Sequence, residues 1–301
     1  MRNKLCLFIG LMQLWAASAY AYDVKIDGVY YNLNTNDKTA SVTYYSYNNN
    51  SNAYSGSIVI PETVTDGGII YNVTSIQARA FDECAGLSAI SLPSSIVSIG
   101  DFAFSGCIGL ESVKLPANVL EIGNNAFQGC KGLTSFEIPS GIIYVKSATF
   151  DGCNKLESVT IPEGVTNIDQ NAFRGCSKLT SISLPRSIKF IGYGAFRNCG
   201  SIKTLILPPN LYRIDDYAFA GCTALRNVTV QCVLSGSIST EIFEGCSDME
   251  VVFDCSTVQF LFKDCDFVKK VTFTEEVTSI GQYAFKGCSG LKEISIPVSV
   301  T

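Results

Sequence analysis

The chain has 301 residues, 47% of them hydrophobic and 16% charged, with 27 acidic against 22 basic residues and no histidine. This is too apolar for a disordered chain and ample for a sizeable core. Lack of histidine excludes imidazole acid–base catalysis, imidazole triads and the commonest transition-metal ligand, and lack of any Lys/Arg run removes a nucleic-acid footprint.

Arg2 and Lys4 precede an apolar run over 5–17, and Ala19-Tyr20-Ala21 has the A-x-A form of a cleavage site. Residues 1–21 are therefore expected to be an export signal, with Tyr22 the first mature residue. The run is too short to span a bilayer comfortably, and Cys6 lies too early for lipid attachment. No later stretch is long and apolar enough to cross a membrane. Residues 22–57 alternate apolar and polar side chains around Asp27-Gly28 and Asn36-Asp37, which predicts β-hairpins acting as an N-terminal β cap. "TDGGIIYN" at 65–72 predicts a further small hairpin inserted after the first strand–proline unit.

From residue 58 to 301 the chain repeats. Cys84, Cys107, Cys130, Cys153, Cys176, Cys199 and Cys222 are each 23 residues apart, and Pro93, Pro116, Pro139, Pro162, Pro185 and Pro208 keep the same period. The ladder continues at Cys246, Cys265 and Cys288 with intervals of 24, 19 and 23, so residues 231–267 are expected to form distorted coils. A fixed period of this size means a solenoid. In the copy "LESVKLPANVLEIGNNAFQGCKG" at 110–132, Leu110, Val113 and Leu115 alternate with polar residues and predict a short strand that Pro116 ends. Val119 and Ile122 turn inward again, Gly123 turns the chain, and residues 124–128 predict one helical or 3-10 turn carrying Ala126 and Phe127 into the core. Gly129 and its equivalents, among them Asn198 and Asp264, are residues that tolerate positive φ, so a left-handed residue should close that turn. Glu83 breaks the rule, and its turn is expected to differ. One coil offers about six inward residues, worth ~1.5–3 kcal/mol apiece when buried. That does not offset the ordering entropy of some two dozen residues unless both flat faces are covered by neighbours. The chain stops just after a strand–proline step, "ISIPVSVT", with no polar closing unit, which suggests a truncated chain.

The pattern LxxVxL-Pro followed by VxxIGxxAFxGC resembles the BspA-like leucine-rich repeats of bacterial surface proteins. Leu110, Val113 and Leu115 carry the general signature; Ala126, Phe127, Gly129 and Cys130 carry the part particular to that family. The resemblance covers about residues 58–301. It implies an α/β fold: a curved, right-handed solenoid whose short strands line the concave face. It also implies adhesion or binding of host proteins at the cell surface.

Four readings of the cysteines compete. Metal binding needs clustered ligands such as C-x-x-C, and none occurs. A catalytic thiolate needs an activating partner. Disulfides suit an exported protein, but equivalent cysteines on adjacent coils point in parallel, with Cβ atoms near ~5 Å, too far for a bridge. A ladder of buried, reduced thiols is favoured. Cys232 and Cys255 stand off the ladder, 23 residues apart, and are a candidate disulfide between distorted coils.

The outward strand positions are the candidate ligand surface: Ser112 and Lys114, Ser135 and Glu137, Ser158 and Thr160, Ser181 and Ser183, then Thr204, Asn227 and Thr229. Hydroxyls dominate, and the Trp, Tyr and Arg of binding hot spots are missing, so a plain solvated β surface competes with a ligand footprint. The tyrosines Tyr44, Tyr45, Tyr47 and Tyr54 form a second candidate, against cross-strand packing. Asp248, Glu250, Asp254, Asp264 and Asp266 crowd the irregular coils and offer carboxylates for glycan hydrolysis or calcium, but follow no known loop spacing. Asn49, Asn72 and Asn227 lie in N-x-[ST] sequons, which matter only in a glycosylating host. The expected protein is an exported, non-enzymatic, monomeric binder of a protein partner, without cofactor or metal, with a surface scaffold as the alternative.

Overall fold

The computed structural model of the chain describes residues 22–45, 53–234, 240–258, 262 and 264–301. The expected leader, Tyr47 and Asn49 lie outside the described residues. The architecture is a solenoid whose coils stack in parallel and in register. Ser135, Phe136 and Glu137 pair with Ser158, Val159 and Thr160, and Thr204 pairs with Asn227, each one 23-residue period on. Chemically equivalent side chains therefore stand above one another along the axis.

Each regular coil has three sides. The first is the predicted strand, as in Ser112–Lys114, Ser135–Glu137 and Ser158–Thr160, with the burial pattern exposed–buried–exposed. The second is a two-residue parallel strand that the sequence did not announce, as in Glu121–Ile122, Tyr144–Val145 and Asn167–Ile168. Only its second residue is apolar and inward, too short a pattern to show alternation. Gly123 leaves this strand, and a Cβ there would run into the backbone of Asp101 on the preceding coil.

The third side is the A-F-x-G-C turn. Only Thr240–Phe243 is a regular 3-10 helix among the described residues. Elsewhere the same i→i−3 bonds recur, such as Gln128 N to Asn125 O at 3.1 Å and Cys130 N to Phe127 O at 3.2 Å. Left-handed residues interrupt them twice per coil. One is the predicted glycine position, with φ 68° at Gly129; the other lies four residues earlier, with φ 57° at Asn125. This double twist aims alternate N–H groups along the axis. Asn125, Phe127 and Gly129 donate to the carbonyls of Ser147, Thr149 and Asp151 on the next coil, at 2.8–2.9 Å. The turn thus satisfies its backbone between coils rather than within a helix. Glu83 corrects the expectation set for it. Its φ is 60° and its N–H donates to Ser105 O at 2.7 Å, so its turn matches the others, the inter-coil bond holding a non-glycine in the strained region.

Two columns run through the core. Phe81, Phe104, Phe127, Phe150, Phe173, Phe196, Phe219 and Phe243 are fully buried and stack ring on ring, with centroids 5.0–5.7 Å apart and planes within 14°. Beside them runs the cysteine column. Cys107, Cys130, Cys153 and Cys199 each donate Sγ–H to the carbonyl of the phenylalanine one coil back, at 3.1 Å. Cys176 and Cys222 do so at 3.3 Å. Packing was the expected role of these thiols; the donated bond adds a directional link between coils.

The N-terminal cap is the expected set of hairpins. Strands Val24–Ile26, Val29–Asn34 and Thr39–Thr43 pair antiparallel, and the third continues in parallel with Ile69–Ile76 into the second row of strands. Asp27-Gly28 and Gly67-Gly68 all have positive φ, as type I′ hairpin turns require. Tyr54 plugs the aromatic column. Its ring lies 4.6 Å from Phe81, and its hydroxyl accepts from Tyr30 N and donates to Thr43 O.

In the irregular region, Asn227 pairs with Glu250 at the usual 23-residue offset, but Val251 pairs with Val271, only 20 residues on, after a bulge between Met249 and Glu250. That shortened coil absorbs the 19-residue cysteine interval.

Candidate functional site

Strand pleating sends residues i and i+2 to one face, and the 23-residue register lays those pairs side by side. Ser112, Lys114, Ser135, Glu137, Ser158 and Thr160 are all exposed and together line a shallow groove of about 640 Å³, floored by Val113 and Phe136 and flanked by Ala117, Pro139, Ser140 and Pro162. A smaller hollow of about 400 Å³, lined by Ser91, Ser94, Lys114 and Asn118, continues it toward the N-terminus. Of the remaining predicted positions, Ser181, Ser183, Thr204 and Asn227 are exposed and Thr229 is half-buried. They lie farther along the same face, outside the groove. At 180–184 the strand bonds lapse, although Ile182 stays buried and keeps the inward alternation.

The groove offers paired hydroxyl donors and acceptors, one cation at Lys114 and one anion at Glu137 on the next coil. Its rim is set by rigid strands and prolines. The groove is open and shallow rather than an enclosed pocket.

The tyrosine cluster is packing. Tyr54 and Tyr30 are buried, and Tyr22, Tyr30 and Tyr45 pack ring against ring, with centroids 4.5–6.3 Å apart. The acidic residues do not converge. Asp254 sits between coils, accepting from Gln231 Nε2 and Thr274 Oγ1, both at 3.0 Å. Asp264 and Asp266 instead line a separate hollow with Glu241 and Glu244. No group of three or more metal-ligating side chains occurs among the described residues.

The thiols are poor nucleophiles. Burial pushes Cys84, Cys153 and Cys199 up to about 12, and Cys130 and Cys176 well above the ordinary thiol value. Cys232 and Cys255 lie on adjacent coils, as expected, and both are buried, with their sulfurs unbridged. Burial raises Cys232 to about 12, with a further contribution from Cys255 nearby.

Sequence reasoning missed a second exposed feature. Val97, Leu120 and Ile143, one position before the second-row strands, are 43–65% exposed on three successive coils. Their 23-residue spacing was the available signal, hidden because the short strand beside them went unrecognised.

The profile described as BspA type leucine-rich repeat region matches residues 62–177, 144–261 and 256–301. No curated protein matches the chain. Among solved structures, a leucine-rich repeat protein from Bacteroides ovatus is 25% identical, with a TM-score of 0.56, over 93% of this chain and 84% of that one. A leucine-rich cell surface protein from Faecalibacterium prausnitzii has the same fold at 23% identity and a TM-score of 0.50, over 90% of this chain and 93% of that one.

Proposed function

The chain belongs to the BspA-type leucine-rich-repeat family, and on that premise we propose that it is a non-enzymatic bacterial surface protein that binds a protein partner in the groove from Ser112 to Thr160. The observation that carries this reading is the groove itself: six exposed polar side chains on three successive coils, Ser135 and Glu137 paired in register with Ser158 and Thr160. Rigid presentation lowers the ordering cost of association. It compensates for the missing aromatic anchors of the usual hot spot. Export through a leader ending at Ala21, a host extracellular or cell-surface partner, and action as a monomer complete the proposal. No helix among the described residues is long and apolar enough to cross a membrane.

The test is capture from a panel of purified matrix and serum proteins, followed by Ser135→Arg/Ser158→Arg. Filling the groove should weaken the captured interaction at least about tenfold, about 1.4 kcal/mol, while Tyr212→Ser, one position before a second-row strand, leaves it unchanged. Equal binding by the filled and native grooves would contradict the assignment.

A further inference from the structure

Cations are unevenly distributed on this acidic chain. In the turn after each ladder cysteine, five successive coils place Lys131, Lys155, Lys178, Lys203 and Arg226; the four lysines are exposed. Bonds between coils align these turns: Glu157 N donates to Thr134 O at 2.8 Å, Ser201 Oγ to Ser177 O at 2.7 Å and Arg226 N to Lys203 O at 3.0 Å. Four steps at strand spacing make a ridge about 19 Å long. Glu157 is the one carboxylate within it, and Glu111 before it and Asp248 and Glu250 beyond it mark its ends.

Several basic side chains elsewhere are neutralised. Arg79 pairs with Asp82, Lys146 with Glu121, Arg174 with Asp151 and Arg213 with Asp215. None of the four ridge lysines makes an ion pair among the described residues. Set one per coil, their charges are spread along the stacking axis, which suits a chain of anionic groups rather than a single small anion. The five turns contain no aromatic residue, so the stacking platforms that hold single-stranded nucleic acid are missing.

We propose that this ridge binds a linear sulfated polysaccharide laid along the stacking axis, independently of the protein-binding groove. Binding by cation–sulfate contacts releases counterions and must weaken as salt rises. The experiment is calorimetric titration of the full chain with a size-defined heparin octasaccharide at about 50 and about 150 mM salt. Affinity should fall steeply between the two. Lys155→Glu/Lys178→Glu, and separately Lys131→Glu/Lys203→Glu, should each weaken binding at least about tenfold and flatten its salt dependence. Lys189→Glu, one position before a second-row strand, should stay within about twofold. All these sites are exposed, and unchanged circular dichroism would confirm folding of each variant. The proposal is overturned by absence of heparin binding, by an equal loss with Lys189→Glu, or by a matched oligothymidylate that binds as tightly.

Discussion

Raising the pH from about 8 to about 11 is expected to unfold the protein. Burial holds the thiols of Cys84, Cys153, Cys199, Cys232 and Cys265 at about 12 in the folded chain, against 9.0 for an ordinary thiol. The folded state therefore keeps protons that the unfolded chain releases. The stability tied to this difference is fully present below about pH 9 and is lost as the pH climbs toward about 12. Each thiol removes roughly 1.4 kcal/mol per pH unit in that window. By about pH 11 the five together remove on the order of 10 kcal/mol, comparable to the whole stability of an ordinary domain. Circular dichroism followed against pH in about 0.5 M salt, which screens surface repulsion, should show cooperative loss of structure between about pH 10 and 11. Cys153→Ala should make the transition less steep in pH, since one titrating group is gone. An unchanged spectrum to about pH 11.5 would contradict the burial of these thiols.

Replacing Phe150 by alanine should be the most damaging single change. Its ring lies 5.7 Å from Phe127, 5.2 Å from Phe173 and, edge-on, 4.6 Å from Phe136. Truncation leaves a cavity in a column that cannot close, because the backbones above and below are bonded at fixed spacing. A cost of about 3–5 kcal/mol is expected. Stability in such arrays is carried by neighbour-to-neighbour contacts, so a break at mid-array should also uncouple its two sides. Urea unfolding should change from one transition to two. Phe136→Val, which restores the smaller residue seen at Val113 and Val159, should cost only about 1–2 kcal/mol and keep a single transition. A Phe150→Ala loss below about 1.5 kcal/mol would show that the column contributes little.

The period, the first strand, the cap hairpins and the buried cysteines were legible because each leaves several residues repeating in one chain. Ala126, Phe127, Gly129 and Cys130 mark the turn so strongly that its second left-handed position passed unseen. That position is occupied by Arg79, Phe102, Asn125, Ala148 and Tyr217 in different copies, so no residue type announces it; inter-coil hydrogen bonds impose the conformation. The groove's side chains were named from alternation alone, but its limits were not. Where it ends depends on how neighbouring coils stack, which no single repeat displays. The same holds for the lysine ridge, whose members sit one, two or four positions after a cysteine and form a row only in three dimensions.

The central claim is that each coil survives by sandwiching its phenylalanine–cysteine edge between neighbours. Native-state alkylation with N-ethylmaleimide, quantified at each cysteine by mass spectrometry, tests it most directly. Cys107 through Cys222 on the ladder should stay unmodified at about pH 8, where an exposed thiol reacts freely, while the half-buried Cys288 should be labelled first. Ladder cysteines labelled as fast as Cys288 would contradict the account.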